Sequence, residues 1–173
     1  MLPRAAPGHS GGMQQTTSSA VPLRVFVVED TILIRERLDA MVTMAGATVV
    51  GHASAAEAAI ARILVERPEL VILDMQLAEG TGFDVLRAIR KQAPEIDVYF
   101  LSNYAAYPYR DLAERLGAKG FFDKSREFGL MREAVARRAA SAIQRGDQPC
   151  TPSPPSVPPL RGRSSKSAAR AAT

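Results

Sequence analysis

The chain has 173 residues, 46% of them hydrophobic, enough to bury one core of ordinary size. No apolar run approaches the roughly 18–20 residues needed to cross a bilayer, and residues 1–20 lack the continuous apolar stretch of a secretory signal, so neither a membrane partner nor export is expected. Of the net charge of +4, +1 is Arg4 and +3 is Arg161, Arg163, Lys166 and Arg170 set against Asp147; residues 21–146 are therefore balanced, which argues against nucleic acid as a partner of the domain itself.

Residues 1–20 are rich in Gly, Ser, Thr, Gln and Pro without a hydrophobic period, and a disordered N-terminal tail is expected. The first strand is Leu23–Val28, "LRVFVV". A helix over about 31–45 follows, with Ile34, Leu38, Met41, Val42 and Ala45 at helical spacing and Gly46 as its stop. The second strand is Thr48–Ala53, and Ser54-Ala55-Ala56-Glu57 reads as a capping box. The helix it opens buries Ala59, Ile60, Ile63 and Leu64 and ends before Pro68. The third strand, Leu70–Leu73, runs straight into Asp74. A third helix follows Gly80-Thr81-Gly82 and turns Phe83, Leu86 and Ile89 inward. The fourth strand is Asp97–Leu101, and a fourth helix starts at Pro108, a favoured first-turn position, and stops at Gly117. A short fifth strand, Gly120–Phe122, precedes a last helix over 127–144 carrying Phe128, Met131, Val135 and Ala142. Residues 147–173 are Pro- and Ser-rich, then basic, and read as a second disordered tail too short for a further domain. The single cysteine, Cys150, lies in that tail and cannot form an internal disulfide, so a reducing cytoplasm is the default location.

Strand and helix thus alternate five times, which predicts an α/β fold with a parallel sheet covered by helices on both faces. In such folds the loops at the carboxyl ends of the strands build the site. The polar residues there are Glu29 and Asp30 after strand one, Asp74 after strand three, Ser102 after strand four and Lys124 after strand five. Three carboxylates in one place repel unless a cation lies among them, and oxygen donors without His or Cys suit a hard divalent ion such as Mg²⁺. A lysine and a hydroxyl beside them complete a set of groups suited to phosphoryl transfer, which depends on positioning and charge neutralisation. Taken singly, each residue has a plainer reading. Asp74 is then a turn residue, Glu29 a helix start using the dipole, Ser102 a loop hydroxyl, Lys124 a solvated charge and Phe121 core. His52 reads as a surface or packing residue, and His9 lies in the tail.

The motifs "VVED" at 27–30, "VILDMQL" at 71–77, "FLSN" at 100–103 and "FFDKS" at 121–125 resemble those of the receiver domains of two-component response regulators, over roughly residues 22–144. The spacings of 44 residues from Asp30 to Asp74 and 22 from Ser102 to Lys124 are similar to the family's. The resemblance implies a flavodoxin-like, doubly wound sheet of order 2-1-3-4-5 forming a receiver domain over 21–146. It implies Asp74 as phosphoacceptor, with Mg²⁺ on Asp30, Asp74 and the Gln76 backbone carbonyl directly and on Glu29 through water. Ser102 and Lys124 would bind the phosphoryl group, and Ser102 and Phe121 would act as the switch, Phe121 turning inward after phosphorylation. The implied partners are a sensor histidine kinase or histidine phosphotransfer protein and a downstream protein target on the face of helix four, strand five and helix five.

With no room for an output domain, the expectation is a stand-alone phosphoacceptor rather than an enzyme, assisting its own phosphorylation and slow dephosphorylation. An aspartate-nucleophile phosphatase would want an acid where Gln76 stands, and a scaffold that has lost phosphorylation would not need Glu29, Asp30, Asp74 and Lys124 together. The sequence departs from the family at Ser125, where proline is usual, so a trans bond after Lys124 is expected. Tyr104 is placed to shield a phosphoryl group from water. The basic tail reads as solubilising, or as a weak, salt-sensitive contact to an acidic partner.

Overall fold

The computed structural model of the chain describes residues 21–103 and 107–146. Five strands, β1 (Arg24–Val28), β2 (Thr48–Ala53), β3 (Leu70–Asp74), β4 (Asp97–Ser102) and β5 (Gly120–Asp123), alternate with five helices. The helices are α1 (Ile32–Met44), α2 (Ala56–Glu66), α3 (Gly82–Gln92), α4 (Tyr107–Arg115) and α5 (Phe128–Gly146). The strands form one parallel sheet in the order β2-β1-β3-β4-β5, the expected doubly wound, flavodoxin-like arrangement.

The two central strands are apolar on both sides because helices cover both faces. Their alternating side chains divide accordingly. Phe26 and Val28 of β1 and Val71 and Leu73 of β3 pack with Ala59 and Ile63 of α2, Leu86 and Ile89 of α3, and Ala113 of α4. Val25 and Val27, with Leu70 and Ile72, pack on the opposite face with Leu38, Met41 and Val42 of α1 and Met131 and Val135 of α5. The edges are less buried, and every residue of β2 retains some exposure.

Some helix ends follow local chemistry and others do not. Helix α1 closes at Gly46, whose φ of +77° lies where side chains are rarely tolerated. Helix α3 opens on a capping box: Thr81 Oγ1 accepts from the Asp84 N–H and the Asp84 carboxylate accepts from the Thr81 N–H. Helix α2 departs from expectation, because Ala55 is its N-cap and no side chain caps it, so Ser54 and Glu57 do not form the predicted box. The loop after β3 takes over that role. The Ala78 N–H donates to the Ser54 carbonyl and the Ala56 N–H to the Glu79 carbonyl, which holds the chain extended into the helix and satisfies an end group from outside. Helix α4 starts one residue before Pro108. Ile60 and Leu64 in α2, and Phe128 and Ala142 in α5, are only partly buried, packed against the edges of the two cores. The expected tails and Tyr104 lie outside the described residues, as do His9 and Cys150.

Candidate functional site

The strand order brings the polar strand ends together. Asp74 and Ser102 are the last residues of β3 and β4, while Glu29 and Lys124 each follow their strands by one residue. The sheet ladder continues through both of the latter, since the Glu29 N–H donates to the Ala53 carbonyl at 3.0 Å and the Lys124 N–H to the Ser102 carbonyl at 3.0 Å. That extra rung fixes the backbone from which each charged side chain is aimed. Glu29, Asp74, Ser102 and Lys124 are the buried polar residues among those described, at 1%, 7%, 1% and 8% exposure.

A long aliphatic stem lets Lys124 reach across the edge of the sheet. Its Nζ lies 2.7 Å from Asp74 Oδ2 and 2.7 Å from Glu29 Oε2. The other carboxylate oxygens are held by backbone: Asp74 Oδ1 accepts from the Gln76 N–H at 3.4 Å, and Glu29 Oε1 accepts from the Thr31 N–H at 3.2 Å. Burial pushes the Asp74 and Glu29 carboxyls above the usual carboxylate range, even with Lys124 drawing them back. Burial also works against the Lys124 ammonium, but the two carboxylates outweigh it and hold its pKa above the ordinary lysine value.

One oxygen each from Glu29, Asp30 and Asp74 lies within 4.8 Å of the others. Asp30, unlike its neighbour, is exposed. Three carboxylates without a nitrogen or sulfur donor suit a hard divalent ion such as Mg²⁺, and Lys124 already occupies one side of two of them. The residues present therefore fit the expected cofactor.

Backbone approaches the site as closely as side chains do. A Cβ on Gly82 would fall 2.2 Å from the Asp74 carbonyl oxygen and 2.8 Å from the Phe100 ring, so this position takes only glycine. The Gly82 N–H donates to the Met75 carbonyl at 3.0 Å, tying the start of α3 to the loop after Asp74. The sequence reading used Gly82 only as a helix-start marker.

Phe121, expected as a switch, is the second residue of β5. Its ring is already inward, 3% exposed and stacked on Phe100 with centroids 5.7 Å apart. The Phe100 ring and the Arg110 guanidinium, 5.4 Å from the ring centroid, favour this buried position. The peptide bond after Lys124 is trans, as expected from Ser125. His52 pairs with Asp39 at 2.8 Å, in keeping with its packing reading.

Three residues around Lys124 were given no role from sequence: Arg110, Asp123 and Glu127. They form an interlocked set of contacts with the β5–α5 loop. The signal available was the run "FFDKSREF" itself, in which Asp123 precedes the lysine and Glu127 follows it by three residues.

Residues 25–136 match the family model described as the response regulator receiver domain. The chain is similar to the DNA-binding transcriptional activator DevR/DosR of Mycobacterium tuberculosis, at 28% identity over 135 residues, covering 70% of this chain and 61% of that protein. It is also similar to the response regulator domain of Thermotoga maritima CheB (25% identity, TM-score 0.56, covering 72% of this chain and 96% of the other). A further solved structure, the REC domain of AraT, a response regulator from Geobacillus stearothermophilus, shares the fold at 21% identity and a TM-score of 0.63, covering 72% and 98% of the two chains. The chain spans about half the length of the curated relatives it matches. Because one of those relatives is named as DNA-binding, the exclusion of nucleic acid drawn from the charge balance gains no support. Among the described residues no helix is long and apolar enough to cross a membrane.

Proposed function

The chain belongs to the response regulator receiver domain family, and from that premise we propose that Asp74 accepts a phosphoryl group from the phosphohistidine of a sensor kinase or phosphotransfer protein. One observation carries the reading: a buried carboxylate at the end of β3 has the Lys124 ammonium 2.7 Å away and the oxygens of Glu29 and Asp30 within 4.8 Å. A carboxylate oxygen forms the new O–P bond as the N–P bond to histidine breaks, and the bonding pair stays on the imidazole nitrogen. Lys124, freed from part of its contact with Asp74, supplies positive charge to a phosphoryl oxygen. The Ser102 hydroxyl stands at the adjacent strand end, where it can donate to another. Glu29, Asp30, Asp74 and the Gln76 carbonyl would hold Mg²⁺, which when bound neutralises charge on the carboxylates and the transferring group.

On this reading the protein is a cytoplasmic phosphoacceptor that assists its own phosphorylation, not a catalyst turning over a separate substrate. The aspartyl phosphate shifts a two-state equilibrium through Ser102 and the α4–β5–α5 face, with a coupling on the order of 1–3 kcal/mol, and a downstream protein reads that face. Since Phe121 is already inward, the change starts from the contacts of Ser102 and Lys124 rather than from an outward ring. The test is incubation of the full chain with Mg²⁺ and acetyl phosphate, followed by mass spectrometry. A phosphoryl adduct in the wild type and none in Asp74→Asn supports the reading; no adduct, or one that persists in the variant, overturns it.

A further inference from the structure

Lys124 is a long, flexible side chain in a loop whose next two residues, Ser125 and Arg126, are exposed. Something must hold its backbone if its ammonium is to lie between two carboxylates. From the contacts around it, we propose that Arg110 and Glu127 are positioning residues that lock the β5–α5 loop and thereby aim Lys124 at Asp74. The inference rests on the phosphoacceptor reading and deepens it.

Arg110, on α4, spans two acceptors. Its Nη1 donates to the Phe121 carbonyl at 2.7 Å, three residues before Lys124, and its Nη2 donates to Glu127 Oε2 at 2.8 Å, three residues after it. The planar fork of the guanidinium matches two fixed acceptors, which a point-charge ammonium would not. Glu127 Oε2 also accepts from the Asp123 N–H at 2.9 Å, so one oxygen ties α4 to the end of β5. Asp123 then closes the loop from inside: its Oδ1 accepts from the Ser125 N–H at 2.7 Å and the Arg126 N–H at 3.1 Å, and its carbonyl accepts from the Glu127 N–H at 2.8 Å. Lys124 lies at the centre of this ring of contacts, with its own N–H on Ser102. Its backbone is thus fixed on both sides by side chains that touch neither Asp74 nor Glu29. The two carbonyl-side anchors, Phe121 and Asp123, belong to the strand whose end supplies the ammonium, so displacement of α4 moves Lys124.

The test uses Arg110→Met and Glu127→Gln in the full chain. Both are expected to slow phosphoryl loading from acetyl phosphate by about tenfold to a hundredfold, the scale of a displaced reacting group. Mg²⁺ binding is not weakened, because a loosened Lys124 competes less for the Asp74 and Glu29 carboxylates; a merely destabilising substitution would weaken it along with loading. Amide hydrogen exchange at Ser125 and Arg126 accelerates in each variant. In a Lys124→Met background, adding Arg110→Met produces no further slowing, whereas additive slowing overturns the proposal. If the wild type accepts no phosphoryl group, the phosphoacceptor reading fails on its own. Amide exchange then still decides the positioning claim, and unaltered exchange at Ser125 and Arg126 overturns it. Should Arg110→Met not fold, Glu127→Gln carries the same comparisons.

Discussion

Lys124 is the residue on which the electrostatics of the site turn. It neutralises two buried carboxylates that would otherwise face each other without a cation, and burial already holds both above their usual range. Breaking such a buried set by removing one partner costs about 3–5 kcal/mol, because the remaining charges lose their compensation. Lys124→Met is therefore expected to lower stability by about that amount at pH 7 in EDTA. The loss shrinks as the pH falls, since the raised carboxyls then take up protons and no longer need the ammonium. Urea unfolding at two pH values checks both the size and the sign. That Asp74 and Lys124 stand at strand ends was legible in the sequence, because each closely follows an apolar run. The Lys124–Glu29 contact was not legible. It joins residues far apart in the chain and depends on which of two adjacent acids is buried, and "VVED" gives no sign that Glu29 turns in while Asp30 stays out.

At the scale of elements, the fit of α3 against the end of β3 has no slack. Gly82 opens the helix where its Cα faces the Asp74 carbonyl, and a methyl there would fall 2.2 Å from that oxygen. Gly82→Ala is expected to cost about 1–3 kcal/mol as the helix start moves away, and it drags the Asp74 backbone with it. Chemical denaturation measures the first effect, and slower loading from acetyl phosphate the second. The α4–β5–α5 junction has its own pH signature. Glu127 is held below the usual carboxylate range, first by the Asp123 N–H and then by Arg110. A carboxyl with a depressed folded pKa adds stability that is present above its ordinary value of 4.5 and is lost as pH falls through the folded value. The melting-temperature gap between wild type and Glu127→Gln is thus expected at neutral pH and should close in acid, below the ordinary carboxylate value. The strand and helix succession could be read from hydrophobic period, since each element is long enough to show one. The caps could not be assigned so directly. Ser54-Ala55-Ala56-Glu57 had the pattern of a capping box, but a tertiary bridge to Glu79 took its place, while Thr81-Gly82-Phe83-Asp84 formed the real one. Local pattern cannot distinguish the two when a distant loop supplies the hydrogen bonds.

At the scale of the molecule, the three acids of the candidate metal site come together only in the folded state. Glu29 and Asp30 follow β1 and Asp74 ends β3, and these strands become neighbours only when β3 docks beside β1 along the register Val28–Leu73. In the unfolded chain Asp74 is 44 residues from Asp30 and 45 from Glu29, and the three acids offer a divalent ion no cluster. An ion that binds only the folded form stabilises it by mass action, about 2.7 kcal/mol at a hundred times its Kd. For a domain of this size that raises the melting temperature by roughly 10 °C. Mg²⁺ is thus expected to raise the thermal midpoint in a concentration-dependent way, with EDTA reversing it. Asp30→Asn separates this effect from general salt stabilisation. Asp30 is exposed, so removing its charge leaves the buried Lys124 cluster and both faces of the core intact while deleting one ligand. The variant should melt close to the wild type in EDTA and lose most of the Mg²⁺ shift. A shift that survives Asp30→Asn would mean that Asp30 holds no metal, and a wild type whose midpoint Mg²⁺ does not move would leave Glu29 and Asp74 to Lys124 alone.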